Sequence, residues 1–254
     1  MMPKLFVISD MHSYYDQMID ALNEAGFDEN NENHWLICCG DVFDRGPDSV
    51  KVMKYLRDLP RKVLVHGNHD QLLIDCCERG YFMSHDQSNG TVKTIMHFGQ
   101  TGPFDDFSEI ADRALKRVKP LFDSMVNYFE TENYIFVHSW IPMTRLDDMP
   151  KHYLRGRVYE FNPDWRNSTD EEWQDAMWGN PFEFALKGLF PDKTIVCGHW
   201  HTSWPRSHFD GEPEFGEGSD FSPYYYKDKM IGIDGCVHYS GKVNCLVIED
   251  EFLK

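Results

Sequence analysis

The stretch 40–48 concentrates residue types that can bind a metal ion or a phosphate. Two of its aspartates, Asp41 and Asp44, lie three positions apart, and Arg45 follows directly. The apolar run 35–39 before it has the length and the polar boundaries of a buried strand. Two neighbouring carboxylates are costly to bury unless cations compensate their charge, and an arginine fork suits a phosphate or a carboxylate. Taken alone, the stretch indicates either a metal and phosphate site or an acidic turn closed by an arginine.

Five apolar runs in all deliver polar residues with metal-ligand chemistry to the point where the run ends. In chain order the sets are Asp10 with His12, Asp41 with Asp44, Asn68 with His69, His138, and His199 with His201. Because the site of an open α/β sheet lies at the carboxyl ends of its strands, these segments can converge there. Each motif alone is unremarkable, whereas five in succession are hard to attribute to chance. The pattern therefore predicts one site assembled from five strand ends.

The ligand types favour particular metals. Carboxylate, imidazole and amide groups suit manganese, iron, cobalt, nickel or zinc better than calcium. Residues two apart on a strand point to the same side, so the side chains of Asp10 and His12 can face one ion together. The same holds for His199 and His201. The set exceeds the needs of a single ion and suits two ions that share a carboxylate.

The segments that would position these residues alternate between strands and helices. Strands are predicted at 4–9, 35–39, 62–66, 134–137 and 193–197, and helices at 14–25, 49–59, 71–79, 91–98, 105–122 and 169–177. The segments 230–234 and 243–248 are predicted to form a closing β-hairpin connected through Gly241. The stretch at about 140–190 lacks strong periodicity and is interpreted as an irregular insertion. No repeat, linker or low-complexity tract divides the chain, so we expect a single domain over residues 1–254.

Composition restricts the class of protein and its partners. The chain has 254 residues, of which 41% are hydrophobic and 15% aromatic, which is typical of a globular protein with a substantial core. Its formal net charge is -17, from 42 acids and 25 bases, so we expect no binding to long nucleic acids. An odd number of cysteines, without an apolar export signal, predicts reduced thiols and a cytoplasmic protein. No apolar stretch is long enough for a membrane span, and nothing indicates an oligomeric state.

Taken in order, the five motifs resemble the signature of the calcineurin-like metallophosphoesterase superfamily. That signature is Asp-x-His, Gly-Asp-x-x-Asp-Arg-Gly, Gly-Asn-His-Glu/Asp, a lone His and Gly-His-x-His. Its Asp-Arg-Gly extension resembles the motif of one branch, the phosphoprotein phosphatases. This branch includes bacteriophage-type Ser/Thr protein phosphatases and bacterial diadenosine tetraphosphate hydrolases. Residues 233–236 and Gly241 also resemble the closing strands of that branch. The resemblance spans residues 5–248, and 140–190 is its poorly matched part.

The resemblance implies a fold, a cofactor and roles for the site residues. The fold would be α/β, a four-layer α/β/β/α sandwich, and the cofactor two divalent metal ions. We expect manganese, with iron, zinc, cobalt, nickel or magnesium as alternatives. The implied ligands are Asp10, His12, Asp41 and His201 for one ion, and Asp41, Asn68, His138 and His199 for the other. Asp41 would bridge the two.

The resemblance also implies how catalysis would work. Two ions would activate a bridging water and stabilise an in-line displacement at phosphorus. His69 would protonate the leaving oxygen, with Asp44 fixing the orientation of its ring. Arg45 would hold the phosphate, and Asn68 would contact the substrate as well as a metal.

Three departures from the branch pattern bear on the substrate. Ser139 and Trp140 follow His138, where the branch usually has two small residues. Where the branch has Trp-x-Arg, which supplies a second phosphate-binding arginine, this chain has 178–180, Trp-Gly-Asn. Asp70 stands in place of the usual Glu, a change expected to matter little. The missing arginine could be replaced by Arg145, Arg155 or Arg157. A surface role is as reasonable for each of them.

Three functions remain open on the sequence alone. The first is a two-metal phosphatase that acts on phosphomonoesters, including phosphorylated Ser, Thr or Tyr in proteins. The second is a dinucleoside polyphosphate hydrolase, for which tryptophans would offer stacking faces to adenine. The third is a metal-binding interaction protein without catalysis. The candidate tryptophans, which are also ordinary packing residues, are Trp140, Trp178, Trp200 and Trp204.

Overall fold

The computed structural model describes residues 2–102, 105–146 and 158–253. Of the candidate site residues, Arg155 and Arg157 lie outside this part. The strands are β1 (Lys4–Ile8), β2 (His34–Cys38), β3 (Lys62–Leu64), β4 (Phe129–Glu130), β5 (Tyr134–Phe136), β6 (Thr144–Arg145), β7 (Tyr159–Glu160), β8 (Thr194–Cys197), β9 (Tyr224–Tyr226), β10 (Met230–Gly232) and β11 (Leu246–Glu249). The helices are α1 (Tyr15–Glu24), α2 (Ser49–Asp58), α3 (Asn68–Arg79), α4 (Ser84–Asn89), α5 (Thr91–Gly99), α6 (Phe107–Phe122), α7 (Asp170–Ala176), α8 (Pro181–Leu186), α9 (Ser203–Pro205) and α10 (Val237–Ser240). Single helical turns lie at Trp165–Asn167 and Arg206–Asp210.

The strands form two main sheets. The first has the order β11-β1-β2-β3, in which β1, β2 and β3 are parallel and β11 is antiparallel. The second has the order β4-β5-β8-β10-β9, with β5, β8 and β10 parallel and antiparallel strands at both edges. Parallel neighbours end at the same edge of a sheet. The five predicted strand ends are therefore distributed over two such edges.

The two sheets pack face to face, as the side chains of β1 show. Leu5 and Val7 point toward the second sheet, where they pack with Phe136 and Val196. Phe6, which points to the opposite side, joins a core formed with the helices. This alternation follows from the two-residue period of a strand. The α/β class, with sheets flanked by helices, is confirmed.

The outer face of the second sheet is covered by aromatic side chains of the predicted insertion. Trp140, Trp165, Trp173 and Phe182 form a buried cluster with the apolar side chains of β5 and β8. In the described part of this segment the regular elements are short: the two-residue strands β6 and β7, one helical turn and the helices α7 and α8. Its large aromatic rings cover this face of the sheet and compensate for the lack of long helices.

One prediction about the closing strands is wrong. The segments 230–234 and 243–248 do not form a hairpin, because β10 pairs with β8 and β9, whereas β11 pairs with β1 in the other sheet. Helix α10 lies between them, and the chain crosses from one sheet to the other. The two apolar runs are adjacent in sequence, but their composition does not specify which sheet each joins.

In the part of the chain that the structure describes, no helix is both long and apolar enough to span a bilayer.

Candidate metal centre

The loops that follow the strands place the candidate ligands through an unusual backbone conformation. Asp10, His12, Asp41 and His199 all have positive φ angles, between 44° and 69°. Residues other than glycine adopt this left-handed region rarely, and such strain is concentrated at functional sites. Four of the predicted ligands are therefore held in conformations that the local sequence alone would not favour.

Two glycines allow these loops to approach one another. A Cβ atom at Gly67 would lie 2.2 Å from both the backbone nitrogen and Oδ1 of Asp41. A Cβ atom at Gly198 would lie 2.0 Å from Oδ2 of Asp10. Both distances are shorter than any real contact, so only glycine fits at these two positions. The Gly-Asn-His and Gly-His-x-His motifs thus include a glycine for close packing against a carboxylate.

One group of side chains surrounds Oδ1 of Asp41. Nε2 of His138 lies 3.3 Å from Oδ1 of Asp41, 2.8 Å from Oδ1 of Asn68 and 3.1 Å from Nδ1 of His199. Nδ1 of His138 lies 2.8 Å from the backbone oxygen of Cys39, which can only accept, so Nδ1 carries a proton and Nε2 is the nitrogen available to a metal. Burial and the neighbouring His138 lower the pKa of His199 to about 3, so its ring stays neutral at pH 7. Two imidazole nitrogens, a carboxylate oxygen and an amide oxygen thus meet at one point, and this donor set fits a divalent cation.

A second group lies on the other oxygen of Asp41. Nε2 of His12 is 3.6 Å from Oδ2 of Asp41, and His69 completes the group. Nδ1 of His12 donates to the backbone oxygen of Phe43 at 2.9 Å, so its Nε2 also carries a lone pair. Burial lowers the pKa of His12 well below its ordinary value. Asp41 is shared by both groups, which fits the expected bridge.

Buried carboxylates give this region a strong need for positive charge. Burial and the charge of Asp41 raise the pKa of Asp10 well above its ordinary value and that of Asp70 to about 7. Burial and the charge of Asp10 likewise raise the pKa of Asp234. Burial also raises the pKa of Asp41, but the surrounding histidines more than offset this effect and the net shift is downward. Divalent cations would relieve the mutual repulsion of these groups, and the donor set fits them.

Two predicted ligands fall outside both groups. Oδ2 of Asp10 accepts hydrogen bonds from Ser9 Oγ at 2.5 Å and from the backbone nitrogen of His199 at 2.9 Å. Nδ1 of His201 lies 2.9 Å from Oγ of Ser203, and its Nε2 lies 3.5 Å from Oε1 of Glu214. Asp10 is thus next to the centre, whereas the described contacts of His201 are with another loop. Metal binding by His201 stays a prediction.

The proposed proton donor and its partner are in direct contact. Nδ1 of His69 lies 2.9 Å from Oδ2 of Asp44, and Nη2 of Arg45 lies 3.1 Å from Nε2 of His69. His69 and Asp44 are buried, while Arg45 is exposed to solvent. Burial lowers the pKa of His69, but the negative charges of Asp41 and Asp44 outweigh this and raise it overall. The two carboxylates therefore stabilise the protonated form of the ring, whereas Arg45 opposes it.

Sequence reasoning missed the role of Asp70. Its carboxylate accepts hydrogen bonds from the backbone nitrogens of Asp41, Val42 and Gly67 at 3.0–3.1 Å. These hydrogen bonds connect the loop after β2 to the start of α3. A carboxylate in the first turn of a helix often binds free backbone amides of that helix, which accounts for the contact with Gly67. The sequence does not indicate that the same carboxylate also binds the loop after β2.

Two of the departures from the branch pattern, at Trp140 and Asn180, have structural explanations. Trp140 is 1% exposed and stacks on Phe184, so it is a packing residue. Oδ1 of Asn180 accepts from the backbone nitrogen of Phe182 and caps α8, so this position is occupied by a helix cap. Trp178 differs from both: it is 39% exposed, and its ring centroid lies 6.5 Å from that of His199.

The remaining candidates for stacking and for phosphate binding are Trp200, Trp204 and Arg145. Trp200 packs edge-on against Trp204, which also stacks on Phe182, so both belong to the aromatic cluster. Arg145 lies in β6, opposite Tyr159 of β7.

Comparison with known proteins places this site in a family. The sequence profile of the calcineurin-like phosphoesterases matches residues 3–203. A symmetrical bis(5'-nucleosyl)-tetraphosphatase of Nitrosospira multiformis is 23% identical over 243 residues, covering 77% of this chain and 82% of that protein. A tetraphosphatase of the same description from Proteus mirabilis is 39% identical over 70 residues, which are 27% of this chain and 25% of that protein.

Solved structures show the same fold. A candidate diadenosine tetraphosphatase superposes with a TM-score of 0.54 and 17% identity, covering all of this chain and 95% of the other. A cold-active protein-tyrosine phosphatase of a Shewanella species gives a TM-score of 0.52 and 15% identity, over 98% of this chain and 76% of the other. The family profile spans more than half of the chain and includes all five motifs. The chain belongs to the calcineurin-like phosphoesterase family.

Proposed function

We propose that the protein is a two-metal phosphatase that hydrolyses phosphomonoesters, with phosphorylated Ser, Thr or Tyr side chains of proteins among its substrates. The observation that carries this proposal is the position of Asp41, whose two carboxylate oxygens face separate groups of ligands. Members of the family use divalent metals, and manganese suits this mixed donor set. The residues that would hold the ions are Asp10, His12, Asp41 and His201 on one side, and Asp41, Asn68, His138 and His199 on the other.

The ions would supply Lewis-acid charge to the attacking water and to the phosphoryl oxygens. Arg45 is the residue that grips the phosphate, because it is exposed and its guanidinium matches phosphate geometry. To do so it must leave Nε2 of His69, which it contacts in this structure. Asn68 directly precedes His69 in sequence, and its side-chain amide would contact the same substrate.

His69 is the general acid of the proposed reaction. The oxygen of water forms the new bond to phosphorus, and the ester P–O bond breaks. The departing oxygen takes a proton from Nε2 of His69, while the attacking water releases a proton to solvent. The products are an alcohol and inorganic phosphate, and the ring regains its proton from solvent. Asp44 stabilises the charged ring and directs Nε2 away from itself, because it binds Nδ1.

The second candidate is a dinucleoside polyphosphate hydrolase, which would use the same centre to break a phosphoanhydride. Two observations favour it. The tetraphosphatase of Nitrosospira multiformis aligns with most of this chain. Trp178, whose ring is partly exposed beside His199, offers a face on which a base can stack. The third possibility, a protein without catalysis, is weakened because His69, Asp44 and Arg45 are assembled in contact.

One experiment separates these functions. Purified protein with manganese is assayed side by side on a phosphopeptide, nitrophenyl phosphate and diadenosine tetraphosphate, with Asp41→Asn as the inactive control. A phosphatase will cleave the first two far more efficiently than the dinucleotide. Preference for the dinucleotide, together with a raised KM for it alone in Trp178→Ala, would favour the second candidate. No turnover of any of the three by metal-loaded protein would contradict both enzymatic proposals.

A further inference from the structure

The carboxylate of Asp44 receives a second hydrogen bond that belongs to none of the sequence motifs. Oγ1 of Thr91, the first residue of α5, lies 2.6 Å from Oδ2 of Asp44, the same oxygen that contacts His69. Asp44 and Thr91 are both 0% exposed. Among the described residues, Oδ1 of Asp44 has no hydrogen-bond partner. The rotation of this buried carboxylate is therefore determined by two donors, one on His69 and one on Thr91.

The turn that carries Thr91 also packs directly against the backbone of Asp44 and Arg45. Gly90 has a φ angle of +87°, and a Cβ atom there would lie 2.5 Å from the backbone nitrogen of Arg45. Asp44 and Arg45 themselves have positive φ angles of 73° and 56°. The start of α5 thus supports two residues in strained conformations. Its position relative to Asp44 leaves little freedom for the hydroxyl of Thr91.

A purely local role for the Thr91 hydroxyl does not fit these contacts. A threonine near a helix start usually accepts a hydrogen bond from a free backbone nitrogen of the same helix. The N-terminus of α5 has no side-chain cap of this kind. The hydroxyl instead donates across the structure to a carboxylate 47 residues away.

We propose that Thr91 is a positioning residue for the proton donor. Its hydroxyl holds Asp44 in the rotation at which Oδ2 faces Nδ1 of His69, and this directs Nε2 toward the departing oxygen. The proposal rests on the proposed function, since it requires His69 to act as the general acid. A hydrogen bond to an ionised group is stronger than one between neutral groups, so its loss should have a measurable effect on the chemical step.

The test compares three variants with the parent protein. Thr91→Val keeps the shape of the side chain and removes the donor, whereas Thr91→Ser keeps the donor. Thr94→Val is the matched control, since Thr94 is equally buried in the same helix and its Oγ1 donates to the backbone oxygen of Gly90. Each is assayed on an alkyl phosphate and on nitrophenyl phosphate, whose good leaving group needs the proton less. Metal content and Tm are measured in parallel.

We expect Thr91→Val to lower kcat on the alkyl phosphate by about tenfold, with unchanged KM and metal content, and to lower it less on the aryl ester. Thr91→Ser should restore most of the rate, and Thr94→Val should leave the ratio of the two rates unaltered. The proton NMR signal of the His69 Nδ1–H, identified by its loss in His69→Asn, should shift in Thr91→Val and not in Thr94→Val. This last measurement is made on metal-free protein and needs no turnover.

A double variant shows whether Thr91 acts through Asp44. In an Asp44→Asn background, Thr91→Val should have little further effect on the rate, because the group it positions is already altered. Equal losses on both esters, full additivity with Asp44→Asn, or an unshifted His69 signal would overturn the role of Thr91. If His69→Asn itself fails to distinguish the two esters, the failure lies with the proposed general acid and not with Thr91.

Discussion

Nη2 of Arg45 donates to Nε2 of His69 across 3.1 Å. A guanidinium has no acceptor, so Nε2 carries its lone pair here and Nδ1 carries the proton shared with Asp44. Arg45 is also one of the groups that lower the pKa of His69. If Arg45 binds a phosphate as proposed, Nε2 would lose this donor and the ring would protonate more readily. Phosphate binding and charging of the proposed proton donor would then be coupled through one hydrogen bond.

Arg45→Lys should raise KM for phosphorylated substrates by about 10- to 100-fold, because lysine keeps the charge and loses the two-pronged grip. The loss should be similar for alkyl and aryl esters, since this residue contacts the phosphate and not the leaving group. Arg57→Lys is the control, as Arg57 is exposed on α2 and pairs with Asp58. Steady-state kinetics of both variants provide the measurement, and an unchanged KM in Arg45→Lys would exclude phosphate binding by Arg45.

His69→Asn should lower the rate on alkyl phosphates by roughly 10²–10⁴-fold, the usual contribution of a general acid. Nitrophenyl phosphate should be affected less, and bound metal should be unchanged. Asp44→Asn should show the same pattern more weakly, because Asp44 orients the ring and stabilises its charge but does not itself donate the proton. The rates on both esters are measured together with metal stoichiometry. Loss of metal from His69→Asn would instead make His69 a ligand, as its place in the group with His12 and Asp41 allows.

Removing the metal should abolish activity, and manganese should restore it. Asp41→Asn should be the most damaging ligand change, because an amide cannot supply the negative charge that both groups share. Metal analysis and thermal melts should show fewer bound ions in Asp41→Asn and a smaller rise of Tm with manganese. Asp10→Asn is the matched comparison. If it loses more metal than Asp41→Asn, the bridge has been assigned to the wrong carboxylate.

The sequence predicted the strands and their terminal motifs because each is a local pattern. Residues such as Asp41 and His138 follow apolar runs directly, and the α/β order makes their convergence expected. Contacts between distant segments left no such signal, which is why Asp70 and Thr91 had no predicted role. The predicted hairpin was wrong for the same reason, since two neighbouring apolar strands can belong to different sheets. The expected single domain stays a prediction.

His201 is the predicted ligand whose described contacts lie away from Asp41, with Ser203 and Glu214. If it binds a metal, His201→Ala should reduce the bound ions from two toward one and lower the rate. His208→Ala is the control, because His208 is a nearby histidine whose Nδ1 contacts the backbone oxygen of Trp204. Metal titration of both variants gives the answer. Full metal content in His201→Ala would restrict this histidine to its contacts with the neighbouring loop.

Glu130 of β4 connects the aromatic insertion to the second sheet. Its carboxylate accepts two hydrogen bonds from Arg166, at 2.5 and 3.0 Å, and forms an ion pair with Lys193 at 2.8 Å. Burial raises the pKa of Glu130, but these two cations outweigh it and lower the pKa below its ordinary value of 4.5. A carboxylate with a depressed pKa stabilises the fold at higher pH, and this contribution is lost as the pH falls through the folded pKa.

Glu130→Gln should therefore lower the free energy of unfolding at pH 7 by about 1–2 kcal/mol. The difference in unfolding free energy between the variant and the parent protein should narrow as the pH falls below 4.5, because the carboxylate of the parent then loses its charge. Denaturant titrations at several pH values, with a chelator in every sample, give the difference directly, because all other titrating groups are common to both proteins. Glu132→Gln, at an exposed neighbouring position, should change stability little at any pH. A difference that stays constant or grows toward low pH would show that the ion pairs of Glu130 do not stabilise the attachment of the insertion.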